Sequence, residues 1–486
     1  MNLLCEMDFM KSVFTFVVIV VGLFSFGALS AESEGYRNTP TPDWVKKRVL
    51  DTTTPIPVDL ISSGVFYRVV DDQIKVTSEG EKQYYTRIAQ TVANAKGLDG
   101  SSQIEIHFDP TYESLLIHDI SVVRDGERVS RLESADISLF NSEQDFERRI
   151  YDGTITYNAI LDDVLVGDTV DFSYSIIGSN PVYRGIFSTG RTLVWNIPVE
   201  DQYHRVLWGK SSPLYVSQRN GQTPVTKTQS DGFTDYSVHI EMVPPQQFDN
   251  QSPDWFLPRH QINYTEMPSW QAVNEWAMIL YQDLGVDDSV RAIAQDIKNQ
   301  TTSIEAQLAK ALSYVQNNIR YVGIEIGANS HIPTPSKDTL RLKYGDCKDK
   351  SVLLLAIMRE LGITGFPALV NTEIGKSLDT LPPAVTRFDH VIVNAIIDDK
   401  SLWLDPTMTD QFGPLDNLYQ PDFGYALVVR ENEKSLTQMN ATSISNIDVI
   451  ETYVIPKDIK ENAQLYVKSQ YLGRQAQRIL SNYEED

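Results

Sequence analysis

Two rhythms of apolar residues divide the chain. Between about Leu60 and Pro245, short runs alternate apolar and polar positions with a period of two, as half-buried strands do. The pattern predicts strands over Tyr84–Val92, Gln103–Phe108, Leu115–Val123, Thr169–Ile177, Thr192–Ile197, Arg205–Leu207 and Tyr236–Met242. Asp125-Gly126, set between Val123 and Val129, predicts a tight hairpin. So many short strands predict a β-sandwich-like domain. Before them, the Pro- and Thr-rich residues 32–60 read as a linker or lead-in, with a short helix near Trp44–Leu50.

After Pro244-Pro245 the chain crosses over, with Trp255 and Tyr264 expected to pack on a neighbouring domain, and the period then becomes helical. Helices are predicted over Trp270–Tyr281 and Asp287–Lys298. Thr302 and Glu305 form a capping box ahead of Ile304, Leu308, Leu312, Val315 and Ile319 at helical spacing. Residues 321–327 read as extended and 328–342 as a loop. The run Val352–Met358 is apolar nearly all round, so its helix belongs in the middle of a domain. That helix opens with Gly345-Asp346-Cys347-Lys348-Asp349. Gly345 permits a tight approach, Asp346 is a natural N-cap, and Asp349 completes an acidic capping box. Gly362 sits where a left-handed C-cap is expected. Cys347 therefore occupies the first turn, where the helix dipole favours thiolate over thiol.

A strand over residues 365–372 and a hairpin over residues 388–407 follow. A two-residue turn at Asp398-Asp399 would place Asp405 opposite Ile392, on the face that also carries His390. A loop one residue longer would reverse that face, leaving His390 a core residue and Asp405-Pro406 the start of a turn. From about Glu431 the chain returns to strands, Ile447–Ile455 and Ala463–Tyr471, read as the start of a C-terminal β region that is cut short.

Composition narrows the chemistry. A net charge of −23 argues against nucleic acid and anionic membrane surfaces as partners. Lys11, the apolar run Val13–Phe26 and the small residues Gly27–Ala31 read as a signal peptide, cleaved after Ser30 or Ala31. Glu6 and Asp8 give its head the wrong charge, so Met10 is the better start. An uncleaved anchor is the rival reading; a lipoprotein is disfavoured because no cysteine stands at the cleavage region. The address is secreted or periplasmic, with no membrane insertion after cleavage. Of the two cysteines, Cys5 leaves with the signal, and Cys347 remains without a disulfide partner. A lone cysteine is more often a small core hydrophobe, but Asp346, Lys348 and Asp349 make this position too polar for that. His107, His118, His204 and His239 stand singly on strands without ligand spacing, so no metal is expected there, nor any cofactor elsewhere.

A thiol attacking an amide needs a base, a group to orient that base, and donors for the oxyanion. Cys347, His390 and Asp405 fit the first three roles. The backbone N–H of Cys347 is one oxyanion donor, and Tyr321 or Tyr344 is a candidate for the second. Gly345-Asp346-Cys347, His390-Val391 and Asp405-Pro406-Thr407 resemble the transglutaminase-like superfamily. The fuller Gly-Asp-Cys-Lys-Asp-Lys and Trp403-Leu-Asp-Pro-Thr407 resemble its bacterial branch, in which a β domain of unknown function precedes the core. The resemblance implies an α+β, papain-like core with the cysteine helix packed on an antiparallel sheet. It also implies thiol chemistry on a peptide or isopeptide amide, by hydrolysis or by transfer to an amine. Lys348 departs from the tryptophan that follows the cysteine in animal cross-linking enzymes, whose calcium sites and oxyanion tryptophan have no clear counterpart here.

The expected organisation is a signal peptide (1–31), a lead-in (32–60), a β domain (61–265), a catalytic domain (266–430) and a C-terminal β region (431–486). The expected partner is a protein or peptide substrate. A second reading, a binding or structural module of the cell envelope around an inactive core, rests on the large β fraction; the intact Cys-His-Asp set counts against it.

Overall fold

A computed structural model of the chain describes residues 35–142, 150–249, 251–409, 411, 415, 418–440, 445–458 and 460–484. The stretch expected to be a signal peptide, Cys5 included, lies outside the described residues. The strand-rich N-terminal part is built on one nine-stranded sheet. Its order is Tyr36–Asn38, Glu113–Arg124, Thr169–Gly178, Lys82–Val92, Val65–Val76, Val199–Trp208, Phe233–Val243 and Thr226–Ser230, with Glu127–Ser130 hairpinned onto Glu113–Arg124. Two of the pairings are parallel, Tyr36–Asn38 with Leu115–Ile117 and Val65–Val76 with Val199–Trp208. Asp125 and Gly126 both take positive φ at the predicted hairpin turn.

The apolar face of this sheet is covered by two three-stranded sheets. One comprises Gln103–Phe108, Ile155–Ile160 and Asp136–Asn141; the other comprises Ser188–Thr192, Gln261–Thr265 and Tyr215–Arg219. Ile104, Ile106 and Phe108 meet Leu115, Ile117 and Val170 in the first core. Ile262 and Tyr264 meet Ile74, Val206 and Trp208 in the second. Tyr84 of the second core pairs across strands with Ile176 of the first, so both small sheets cover the same face. This is a sandwich with one divided layer.

The opposite face is polar and is closed by residues 44–48. No helix forms there, contrary to the expectation for Trp44–Leu50. The segment is instead a strap whose backbone is satisfied by the sheet's side chains. Gln73 accepts from the Lys46 N–H at 2.9 Å and donates to its carbonyl at 2.8 Å, while Arg205 and Arg87 donate to the carbonyls of Trp44 and Arg48. Burying these groups is tolerable because each finds a partner. The same polar face explains why strand Val65–Val76 escaped the sequence pattern: Arg68, Asp71 and Gln73 are buried and interrupt its apolar rhythm. The strand expected at Thr192–Ile197 ends where that prediction begins, because pairing with Gln261–Thr265 fixes it at Ser188–Thr192.

The helical part contains α1 (Trp270–Leu280), α2 (Asp288–Gln300), α3 (Ile304–Asn318), α4 (Ser336–Leu342) and α5 (Cys347–Leu361). Ser303, not Thr302, caps α3, accepting from the Ala306 N–H; Glu305 falls one position short of a capping box and binds the Ser303 hydroxyl instead. An antiparallel sheet runs in the order Lys400–Leu404, His390–Ile397, Thr364–Val370, Tyr425–Val428, Thr437–Gln438. α5 lies between the two layers. Leu353 to Met358 pack with Val290, Leu308 and Leu312 of α2 and α3 and with Val393 and Ala395 of the sheet, whereas Cys347 and Val352 meet Leu369 and Val391.

Strands Asn446–Val454 and Gln464–Leu472 form a separate hairpin, followed by a helix, Arg474–Glu484, that the sequence pattern did not announce. Among the described residues no helix is long and apolar enough to cross a membrane.

Candidate active site

The site is assembled at the N-terminus of α5. The Asp346 carboxylate accepts from the N–H groups of Lys348 and Asp349, and Asp349 Oδ2 accepts from the Asp346 N–H at 3.2 Å, so the acidic capping box forms. Gly345 is required sterically. A Cβ there would meet Asp349 Cβ at 2.7 Å. Gly362 closes the other end at φ 80°. Cys347 is thereby fixed on the first turn, 6% exposed and free of any disulfide.

The hairpin supplies the second group. Asp398 and Asp399 both take positive φ, the backbone of a two-residue turn, and Val393 pairs with Leu404. That register brings Asp405 beside His390, with Nε2 2.9 Å from Oδ2. The other oxygen of Asp405 accepts from the backbone and hydroxyl of Thr407, at 2.9 and 2.6 Å. Cys347 lines the same cavity as His390 and helps to raise the imidazole's pKa; with Nε2 on Asp405, Nδ1 is the nitrogen left for the thiol. Phe423 stands edge-on to the imidazole at 5.7 Å.

Electrostatics follow from burial and neighbours. Burial opposes charge on His390, but the Asp405 carboxylate and the thiol outweigh it, so the imidazole's pKa lies well above its ordinary value. Asp405 is buried too, which would raise its pKa; His390 and the Thr407 hydrogen bonds hold it low instead. Lys348 is sunk between Asp346 and Glu325, whose charges overcome desolvation and keep it protonated. Asp349 is pushed up to about 6 by burial and by Asp346.

Cys347 and His390 open into a cavity of about 180 Å³ with Trp276, Tyr281, Tyr321 and Phe388 as its aromatic walls and Glu325, Ser330 and His331 to one side. Tyr321 stands here because Tyr321 pairs with Gly345 and Arg320 with Tyr344. Alternation then turns Tyr344 to the other side, into a separate cavity with Val322 and Leu342. Of the two candidate tyrosines, the structure brings only Tyr321 to the thiol. Tyr281, buried in the cavity wall, also feels Cys347, and burial drives its pKa well up. His331 is pushed down to about 4 by burial and Lys348. Trp276, Tyr281 and His331 carried no local sequence signal, since α1 and the 327–332 loop reach the thiol only through tertiary packing.

Residues 291–405 match the model of the transglutaminase-like superfamily. The chain carries a transglutaminase-like domain. Residues 78–247, ahead of it, match a domain of unknown function with solved structure, DUF3857. No curated protein matches the chain. A crystal structure from Parabacteroides distasonis, named provisionally as a protease, is similar with a TM-score of 0.63 at 16% identity, over 82% of this chain and 79% of that one. That likeness is one of fold, and it spans both parts of the molecule. A protein from Cytophaga hutchinsonii, named provisionally as a cysteine protease, aligns at 11% identity over 59% and 88% of the two chains with a TM-score of 0.21. The periplasmic domain of TgpA from Pseudomonas aeruginosa aligns at 13% identity over 60% and 87%, with a TM-score of 0.19. Scores this low carry no argument. The transglutaminase-like domain is thus an α+β core with its cysteine helix on an antiparallel sheet, preceded by a strand-rich domain.

Proposed function

We propose that the protein is a thiol enzyme of the bacterial envelope, secreted or periplasmic, acting on peptide or isopeptide amides through a thioester on Cys347. The observation that carries this reading is that His390, bound to Asp405 through Nε2, lines one cavity with Cys347 and is felt by its sulfur, which leaves Nδ1 for the thiol. Cys347 Sγ, its proton passed to His390, attacks the amide carbon as the thiolate, and the carbonyl oxygen becomes an oxyanion facing the Cys347 N–H and the Tyr321 hydroxyl. Burial and the charge of Cys347 raise the Tyr321 pKa, so its hydroxyl keeps its proton and can donate. The tetrahedral adduct collapses with cleavage of the C–N bond, and the leaving amine takes a proton from His390. Water or a second amine then attacks the thioester, giving its proton to His390 as the C–S bond breaks. Asp405 keeps the imidazole oriented and favours its charged form throughout.

The test is the pH dependence of iodoacetamide labelling at Cys347 in the wild type and in His390→Ala. Labelling that persists well below the free-thiol pKa of about 8.5 and slows in the variant supports the pair. Slow labelling with a free-thiol profile in both proteins rejects it and favours a non-catalytic envelope module.

A further inference from the structure

We infer that the strand-rich N-terminal part, strand Gln261–Thr265 included, shapes the substrate cleft of the transglutaminase-like domain by holding both of its side walls, with Asn180 and Thr265 as positioning residues; this rests on the thiol-enzyme reading above. Every cavity-lining residue comes from the transglutaminase-like side, from Trp276 onward. The floor, Cys347, Leu369 and Val391, belongs to its own core. The walls do not stand on that core alone.

The first wall carries Tyr321, Glu325, Ser330 and His331. Gly323 and Ile324 pair in parallel with Ile150 and Tyr151, and the Glu325 N–H donates to the Tyr151 carbonyl at 2.8 Å. Asn180 Nδ2 donates to the Gly327 carbonyl at 2.9 Å and to Ser330 Oγ at 2.8 Å, while its Oδ1 caps the Val182 N–H. The Val182 carbonyl in turn accepts from the Trp276 indole at 3.1 Å, and the Tyr183 hydroxyl lies 3.3 Å from His331 Nε2. This wall is two two-residue strands, Arg320–Tyr321 and Gly323–Ile324, and a single 3-10 turn, too short to hold its shape unaided.

The second wall carries Val385, Phe388 and Asp389 and leads into His390. It is tied to the outer polar face of the sheet Ser188–Thr192, Gln261–Thr265, Tyr215–Arg219. Thr265 Oγ1 donates to the Pro383 carbonyl at 2.7 Å, Arg387 donates to Asn263 Oδ1 at 3.0 Å, and Ser188 meets Thr386 at 3.1 Å. Asn263 and Thr265 are 3% and 2% exposed, so their two contacts are enclosed and directional, while Ser188–Thr386 lies at the exposed edge. One domain grips both sides of the other's cleft. The width of that cleft is therefore set from outside the catalytic core, and with it the bulk of the substrate that reaches Cys347.

The test uses Asn180→Asp, which keeps an acceptor for the Val182 cap and replaces the two donors by a carboxylate oxygen that repels the Gly327 carbonyl, and Thr265→Val on the other wall. Two electrophiles report on the cleft: iodoacetamide, small enough to ignore the walls, and a dipeptidyl chloromethyl ketone, which must lie between them. In each variant the chloromethyl ketone should slow relative to iodoacetamide by on the order of tenfold, as expected for the loss of enclosed hydrogen bonds, with the iodoacetamide pH midpoint kept. Hydrogen exchange should quicken in residues 323–331 for Asn180→Asp and in 383–388 for Thr265→Val, and stay unchanged within α5. An unchanged rate ratio in both folded variants overturns the inference, even if exchange quickens, because the walls would then be held without shaping the cleft. Should one variant fail to fold, the other and Tyr183→Phe decide. A free-thiol labelling profile in the wild type would instead reject the enzyme reading, while the electrophile ratio would still decide the role of the walls.

Discussion

His390 Nε2 and Asp405 Oδ2 stand 2.9 Å apart on adjacent strands, and the turn that joins those strands determines whether they meet at all. The pair ties the chemistry to the hairpin register.

The pair should also leave a signature in stability. The folded pKa of His390 lies well above its ordinary value, so its contribution is fully present below the unfolded value of about 6.5 and is lost as pH rises through the folded value. Asp405 is shifted the opposite way, and its contribution fades as pH falls through its folded value, below the unfolded value of about 3.9. Asp405→Asn should therefore lower Tm most between about pH 4 and 6.5, with the gap closing in alkali. Thermal melts across that range check this; a gap independent of pH would contradict it.

Tyr321→Phe should remove one oxyanion donor. With a responsive substrate, kcat is expected to fall about 10²–10³-fold while KM changes little. Tyr344→Phe, on the far side of the same paired segment, should leave kcat within about twofold of the wild type, as a residue outside the cavity should. Equal losses in both variants would remove Tyr321 from the oxyanion site.

Gly345→Ala tests the helix start. Its new methyl group would press on the Asp349 Cβ and carboxylate, which close the capping box. Such overpacking costs about 1–3 kcal/mol. Urea unfolding should show that loss, and iodoacetamide should label Cys347 more slowly because the first turn of α5 is displaced.

Asp71 offers a test far from the thiol. Burial pushes its pKa up to about 7, opposed by the Gln73 amide, which donates to both of its oxygens. A carboxyl raised in this way contributes stability that is full below the unfolded pKa of about 3.9 and lost as pH rises through about 7. Asp71→Asn should raise Tm by several degrees near pH 8 and by much less near pH 5; melts at the two pH values give the comparison.

Much of the site was legible because its determinants are local. Gly345, Asp346 and Asp349 specify a helix start within five residues, and Asp398-Asp399 specifies a hairpin whose register carries Asp405 to His390. What could not be read was set by distant partners. Strand Val65–Val76 hides its period because a strap of residues 44–48 makes its polar positions internal. The same strap reads as a helix in the sequence, since nothing within Trp44–Leu50 says that its carbonyls will be claimed by Arg87 and Arg205. The roles of Tyr321 and Tyr344 separate only once pairing with the Gly345 segment fixes which way each one points. Trp276 and His331 are contributed by elements whose own sequence has no reason to mention a cysteine.

The strap has a consequence for the order in which the molecule can form. Arg48 is bound through two hydrogen bonds to Asp201, 153 residues later, and Val65–Val76 lies in parallel beside Val199–Trp208. Neither contact can form until the chain has been made as far as Asp201, more than 150 residues beyond Arg48, and such long-range closures are slow. At the usual pace of about 5–20 residues per second, strand Val65–Val76 waits on the order of ten seconds for its parallel partner. Cys347 is made later still, by which time the surfaces that will grip its cleft already have their strands. The nascent chain thus completes the mould before it makes the reactive part.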